Sequence, residues 1–268
     1  MTHPLRLMHI LAHPDDESLA TGGVLAKYAA EGVETFLVTA TRGEHGWWGS
    51  DEDYPGPQAL GHIREGELRA AANVLGLREV ILLDYLDGEL DQADTMEVIA
   101  KLVAQIRRIQ PDVVVTFDPN GVYGHPDHIA ISQLATAAIV AAADNAYADS
   151  GQPSHRVSKL YYRTVTAGEL ASYQAAFGDL VMNIDGQERR GQGWPEWANT
   201  TLIDTGEYWP QVWRAVACHC SQLPGYQKLQ DLPAGHHRNL WGRQTFYRAF
   251  SLVNGGRTIE DDLFAGLR

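Results

Sequence analysis

Basic residues are scarce in this chain: lysine and arginine number 21 against 34 aspartates and glutamates, a formal net charge of -13 over 268 residues. Binding a nucleic acid requires a basic footprint that neutralises phosphates, and its absence argues against a nucleic-acid partner. The same charge disfavours docking on an anionic membrane surface. Cysteine is equally sparse, with only Cys218 and Cys220. On a helix that spacing points them to different faces. A mutual disulfide or shared metal is therefore not expected, and both read as small buried or half-buried residues. No apolar run approaches the ~20 residues of a transmembrane helix. Met1-Thr2-His3-Pro4 leads straight into a strand pattern, so no stretch reads as a signal peptide. A cytoplasmic protein outside the membrane is the expectation. Repeats and low-complexity blocks are missing too, and a hydrophobic fraction of 44% is ordinary globular composition.

Strand and helix patterns alternate. Residues 5–11 form a short apolar run of strand length. A helical pattern then runs from Glu17 to about Ala30, interrupted by Gly22-Gly23, whose small size suits close packing on a sheet. Gly32 supplies a left-handed stop. A strand at 33–39 completes a βαβ unit, in which the strands are parallel and the crossover right-handed. Further strands are expected at 79–83, 113–117, 159–163 and 180–184, and helices at 63–75, 94–109, 126–143 and 209–222. The unbroken apolar character of Val113-Val114-Val115-Thr116-Phe117 marks a central parallel strand. Residues 149–153 read as a surface loop, 185–199 as a polar, Gly-rich loop, and the tail from Pro224 fits no element. The long connection around Trp47, Trp48 and Tyr54 has the size of a functional lid. The pattern predicts an α/β fold with a Rossmann-like, mostly parallel sheet, helices on both faces and the site at the carboxyl ends of the strands. One domain is expected over 1–268, with a core at about 5–148 and a C-terminal extension at about 155–268.

Two dense clusters of ionisable residues follow predicted strands. The first is His13-Pro14-Asp15-Asp16-Glu17 and the second His125-Pro126-Asp127-His128. Such groups beside a buried strand are costly unless a cation or a reaction uses them. A hydrolytic zinc takes three protein ligands from His and Asp/Glu and keeps a position for water, which it acidifies. His13 and Asp16, spaced i, i+3 at a helix start, can face one ion. Asp15 between them points elsewhere and is a candidate base. His125 and His128 repeat the spacing: one can ligate, while the other, with Tyr123, can meet the oxygen of a tetrahedral intermediate. Asp127 can hold an imidazole in its tautomer.

These motifs resemble the PIG-L/LmbE-like family of zinc-dependent de-N-acetylases. The resemblance extends to Thr41-x-Gly43-Glu44-x-Gly46, Arg64-x-x-Glu67-Leu68-x-x-Ala71, and a late His219-x-Ser221-Gln222. Asp118-Pro119-Asn120-Gly121-x-Tyr123-Gly124-His125 is most similar to the deacetylase and amidase branch of mycothiol metabolism. The resemblance implies ligation by His13, Asp16 and His128, Asp15 as general base, His125 and Tyr123 at the oxyanion, and Asp127 behind a histidine. It implies hydrolysis of the acetamide of an N-acetylglucosamine-containing small molecule. The alternative is an amidase cleaving a larger acyl group from a glucosamine conjugate. Zinc is the implied cofactor, and Fe(II) suits the same ligands. Arg64, Glu44, Trp47 and Trp48 are expected to contact the N-acylated amino sugar, and a homo-oligomer is left open. One departure lies in the tail, where Gly242-Arg243-Gln244-Thr245-Phe246 stands in place of the family's Gly-x-Glu-x-Phe.

Rival readings are weaker. A nucleotide-binding sheet needs a Gly-rich phosphate turn after the first strand, where this chain carries carboxylates that repel phosphate. A non-catalytic metal protein has no use for Asp15 and His125. His3, His9, His45, His62, His155, His236 and His237 lack paired carboxylates at ligand spacing and are expected at the surface or in packing, with His45 and His62 flanking the lid.

Overall fold

A computed structural model describes residues 4–268 apart from 148–150, 180, 185, 226 and 257. The expectations for His3, for 149–150 of the surface loop, for Leu180 as a strand residue and for Asp185 therefore lie outside the described residues.

The strands in chain order are Arg6–Leu11 (β1), Glu34–Thr41 (β2), Glu79–Tyr85 (β3), Val113–Phe117 (β4), Lys159–Thr164 (β5), Val181–Ile184 (β6), Gln187–Arg190 (β7), Thr201–Asp204 (β8) and Arg243–Ser251 (β9). Seven form one sheet in the order β3-β2-β1-β4-β5-β9-β8, while β6 and β7 make a separate hairpin. The first five sheet strands pair in parallel. Only β9 breaks the pattern, running antiparallel to both β5 and β8. The mostly parallel α/β architecture expected from the alternating patterns is the one observed.

Side chains of β1 alternate between two cores, as a pleated strand requires. Met8 and Ile10 face one, with Val98, Leu102 and Ile106 of Thr95–Ile109 and Ile131 and Ala135 of Pro126–Ala143. Leu7 faces the other, with Val24 and Tyr28 of Gly22–Ala30 and with Leu263 and Phe264 of the tail. Burial on both faces is what allows the central strands to be apolar throughout. Pro57–Leu75 begins with Pro at its first position and ends at Gly76, whose φ of 82° is the left-handed stop a glycine takes without strain.

Several boundaries differ from the pattern. The helix expected from Glu17 splits into Asp16–Leu19 and Gly22–Ala30. A Cβ on Gly23 would stand 2.8 Å from Thr205, and one on Gly22 3.1 Å from Val212. The small residues therefore admit the C-terminal half of the chain, β8 end and following helix included. The helix expected at 209–222 stops at Val216. Cys218 and Cys220 lie in the turns beyond it, both free, Cys218 half-buried and Cys220 exposed, which corrects the expectation of burial for Cys220. The supposed loop after 185 contains β7, and the unassigned tail contributes β9, which sits between β5 and the edge strand β8. Gln244, on that strand, is fully buried and bonds the backbone N–H of Val24 and the carbonyl of Ala20, at 2.8 and 2.9 Å. Its role is to tie the tail to the first helices. Among the described residues no helix is long and apolar enough to cross a membrane.

Candidate active site and metal centre

At the carboxyl end of β1 the chain makes a turn that its own acidic side chains fold. Asp15 adopts φ 108° and ψ -27°, a left-handed backbone that a residue with a Cβ seldom takes. Three contacts hold it there. Glu17 Oε2 accepts the Asp15 N–H at 3.0 Å, Asp16 Oδ2 accepts the His13 N–H at 2.8 Å, and Pro14 O accepts from Arg64 Nη2 at 2.5 Å. The same Arg64 nitrogen lies 3.1 Å from Asp15 Oδ2.

The second cluster follows β4 and is built in a similar way. Asp118 accepts the N–H groups of Asn120 and Val122, at 2.8 and 3.1 Å, and draws 121–124 into a tight turn in which Val122 has φ 65°. His125 then caps Pro126–Ala143, its Nδ1 accepting the N–H of Asp127 at 3.2 Å. An acceptor Nδ1 leaves the ring proton of neutral His125 on Nε2. The first turn of this helix delivers His128, whose ring stacks on Phe117 at 4.0 Å.

The two clusters converge. His13 Nδ1 lies 3.2 Å from His128 Nε2 and 3.6 Å from Asp16 Oδ2, and His128 Nε2 lies 3.5 Å from Asp16 Oδ1. Donors about 2.0–2.1 Å from a tetrahedral zinc stand roughly 3.3 Å from one another. Two buried imidazoles and a buried carboxylate at that spacing fit one divalent ion. Burial pushes the Asp16 carboxyl up to about 7, against the pull of His13 and with help from Asp15, which is the imbalance a cation would relieve. Burial, followed by the neighbouring His13 and His125, also keeps His128 well below its usual range and therefore a neutral donor.

His13 turns its other nitrogen to carboxylates. Nε2 lies 3.1 Å from Asp127 Oδ2 and 3.0 Å from Asp87 Oδ1. Burial alone would lower the pKa of His13, but these two partners hold it well above the usual value. Asp127 also accepts the N–H groups of Gly88 and Leu90, at 2.8 and 3.1 Å, so the carboxylate is fixed from two directions. Asp87 stands outside both motifs, and sequence reasoning misses it. The available signal is its place just past the carboxyl end of β3, where ligands gather in such sheets.

A cavity of about 650 Å³ opens above these residues, lined by His13, Asp15, Asp16, Asp87, Tyr123, His125 and His128, with Arg64 and Trp48 in its wall. Tyr123 faces the carboxylates: burial, then Asp16 and Asp15, raise its pKa, so the phenol stays protonated. Arg64 is buried and committed to Asp15, Pro14 and Gly43, the last at 2.9 Å. Gly43 and Gly46 leave the guanidinium room that any Cβ would fill. The structure separates the other expected substrate contacts. Trp48 is in the wall, whereas Trp47 donates to Ser50 O at 2.9 Å and packs near Tyr54, and Glu44 accepts the Asp87 N–H at 3.3 Å; Trp47 and Glu44 are not among the lining residues. His45 lines the cavity and bonds Asp87, while His62 is exposed on its helix. His9 is fully buried against Thr21, at 2.9 Å.

The family model described as PIG-L, GlcNAc-PI de-N-acetylase, matches residues 8–139. A 1D-myo-inositol 2-acetamido-2-deoxy-alpha-D-glucopyranoside deacetylase of Rhodococcus jostii (strain RHA1) is 36% identical over 244 residues, covering 81% of this chain and 82% of that protein. A protein of the same name from Thermobispora bispora is 31% identical over 303 residues and covers 98% of each chain. Among solved structures, the 4-carboxy-2-hydroxymuconate hydratase of Pseudomonas putida KT2440 superposes with a TM-score of 0.67 at 20% identity, over 94% of this chain and 99% of that one. That last likeness is one of fold, and its different reaction shows why function must be argued from the site.

Proposed function

The chain belongs to the PIG-L family of de-N-acetylases, and from that premise we propose that it hydrolyses the acetamide of an N-acetylglucosamine unit in a small glycoside. The observation that carries this reading is the convergence of His13, Asp16 and His128 at ligand spacing with Asp15 and a protonated Tyr123 around one cavity. The inositol-linked sugar named for its relatives is the first substrate to test.

His13, Asp16 and His128 would hold the metal, zinc or Fe(II). Bound there, the ion supplies a Lewis acid and an acidified water at neutral pH. Asp15, its carboxylate oriented by Arg64, takes the proton of the attacking water as the new C–O bond forms, then returns it to the nitrogen as the C–N bond breaks. Acetate and the free amine are the products. Tyr123, and His125 through its Nε2–H, donate to the carbonyl oxygen as it gains charge. Asp127 and Asp87 act on His13, fixing the ring so that Nδ1 faces Asp16 and His128. Trp48 offers an apolar face with a polar edge to the part of the substrate beyond the sugar. The whole chain serves as one catalytic unit, with the cytoplasm as its compartment.

The direct experiment is acetate release from the inositol-linked N-acetylglucosamine by purified protein, before and after chelation and on adding back Zn²⁺ or Fe²⁺. Release that is lost with the metal and restored by it is expected. Release that is insensitive to chelation contradicts the reading.

A further inference from the structure

The late stretch His219-x-Ser221-Gln222 has no part in the reaction just described, although Gln222 lines the cavity, and each of its named residues reaches one part of the loops around the site. His219 Nε2 lies 2.8 Å from Glu17 Oε1, and both side chains are fully buried. Ser221 gives its N–H and hydroxyl to the two oxygens of Glu67, each at 2.7 Å. Glu67 stands one turn beyond Arg64 on the same helix. Gln222 Nε2 donates to Gly46 O at 2.8 Å, in the loop whose Gly43 carbonyl receives Arg64.

Of these the His219 link goes furthest. The Glu17 carboxylate is fully buried, a position tolerated only when donors use its lone pairs. One oxygen accepts from His219 and from Ser18 Oγ, the latter at 2.5 Å; the other accepts the N–H of Asp15. That N–H belongs to the residue with the strained left-handed backbone. Backbone outliers of this kind are costly and persist only when their surroundings over-determine them. Among the described residues, His219 Nδ1 has no partner, so the ring's directed bond is the one to Glu17.

We infer that His219 is a positioning residue for Asp15: through Glu17, it holds the Asp15 peptide in the conformation that aims the carboxylate over the metal ligands. The C-terminal part of the chain thereby completes a site whose reacting groups all lie before residue 130. This inference rests on Asp15 being the general base.

The test is a double-mutant cycle on metal-loaded enzyme with kcat expressed per bound metal. His219→Leu removes the donor and should lower kcat about 10–100-fold, with KM and metal content within twofold. His219→Gln, which keeps an N–H, should recover most of the loss. In an Asp15→Asn background, His219→Leu should have almost no further effect, because residues acting as one unit are non-additive. A full His219→Leu penalty retained in that background overturns the inference while leaving Asp15 as base. An active Asp15→Asn enzyme overturns the base assignment instead. Should His219→Leu not fold, the isosteric Glu17→Gln takes its place in the cycle: loss of its effect in the Asp15→Asn background supports the inference, and a fully retained penalty overturns it.

Discussion

His13 turns its Nε2 onto Asp87, 3.0 Å from Oδ1, while its Nδ1 faces the ligand cluster. In the proposed metal site the bond would fix which nitrogen of the ring is left for the ion and would add negative charge behind it. Such partners of a ligating histidine are typically worth ~10–100-fold in metal affinity. Asp87→Asn is expected to weaken zinc binding by that factor, read by competition against a chelator of known affinity. Unchanged affinity would mean Asp127 alone orients the ring.

Tyr123 and His125 are expected to act in the transition state. Each donor to a developing oxyanion contributes on the order of 3 kcal/mol. Tyr123→Phe and His125→Ala should therefore lower kcat by about 10²-fold with small effects on KM. Steady-state kinetics on both variants decides this. Normal kcat in both would leave the metal as the sole electrophile.

How much of this is legible in the sequence varies with the kind of signal. The two clusters are readable because i, i+3 spacing immediately after an apolar strand is a local pattern. Asp87 stands alone in Leu86-Asp87-Gly88, and only the closure of the sheet brings it to His13. β9 escapes a sequence reading because its partners, β5 and β8, lie far back in the chain, and pairing between distant segments leaves no local period. Trp47 and Trp48 are adjacent and chemically alike, so no sequence argument separates the one in the cavity wall from the one packed on its own loop. The tail's departure at Gln244 becomes intelligible only in the fold, where its amide bridges Ala20 and Val24.

Recognition beyond the acetamide is expected from Trp48, which is 59% exposed and seated over Gly225 at the cavity wall. Free N-acetylglucosamine lacks the remote contacts that a glycoside supplies, so its kcat/KM should fall about tenfold or more below that of the inositol glycoside. Trp48→Ala should narrow the gap, and N-acyl chains longer than acetyl should be slower. Equal efficiency on sugar and glycoside, untouched by the substitution, would place recognition elsewhere. Faster cleavage of a larger acyl group would favour the amidase alternative.

Acid stability should report His9. Burial lowers its pKa from 6.5 to about 3. A folded-state pKa below the unfolded one contributes stability that is full above the unfolded pKa and is lost as the pH falls through the window from 6.5 towards 3. Between pH 7 and pH 4.5 this amounts to about 2–3 kcal/mol. Urea unfolding at the two pH values should show wild type losing more stability than His9→Leu, by that margin. Equal losses in the two proteins would remove His9 as a source of acid sensitivity.

The assignment of roles between the two neighbouring aspartates is the centre of the mechanism, and metal analysis of purified variants tests it most directly. Asp16→Ala and His128→Ala should come out without metal and without activity together. Asp15→Asn should retain a full equivalent of metal and turn over ~10²–10⁴-fold more slowly, the usual loss for a general base. A metal-free Asp15→Asn beside a fully loaded Asp16→Ala would reverse the two roles and contradict the mechanism.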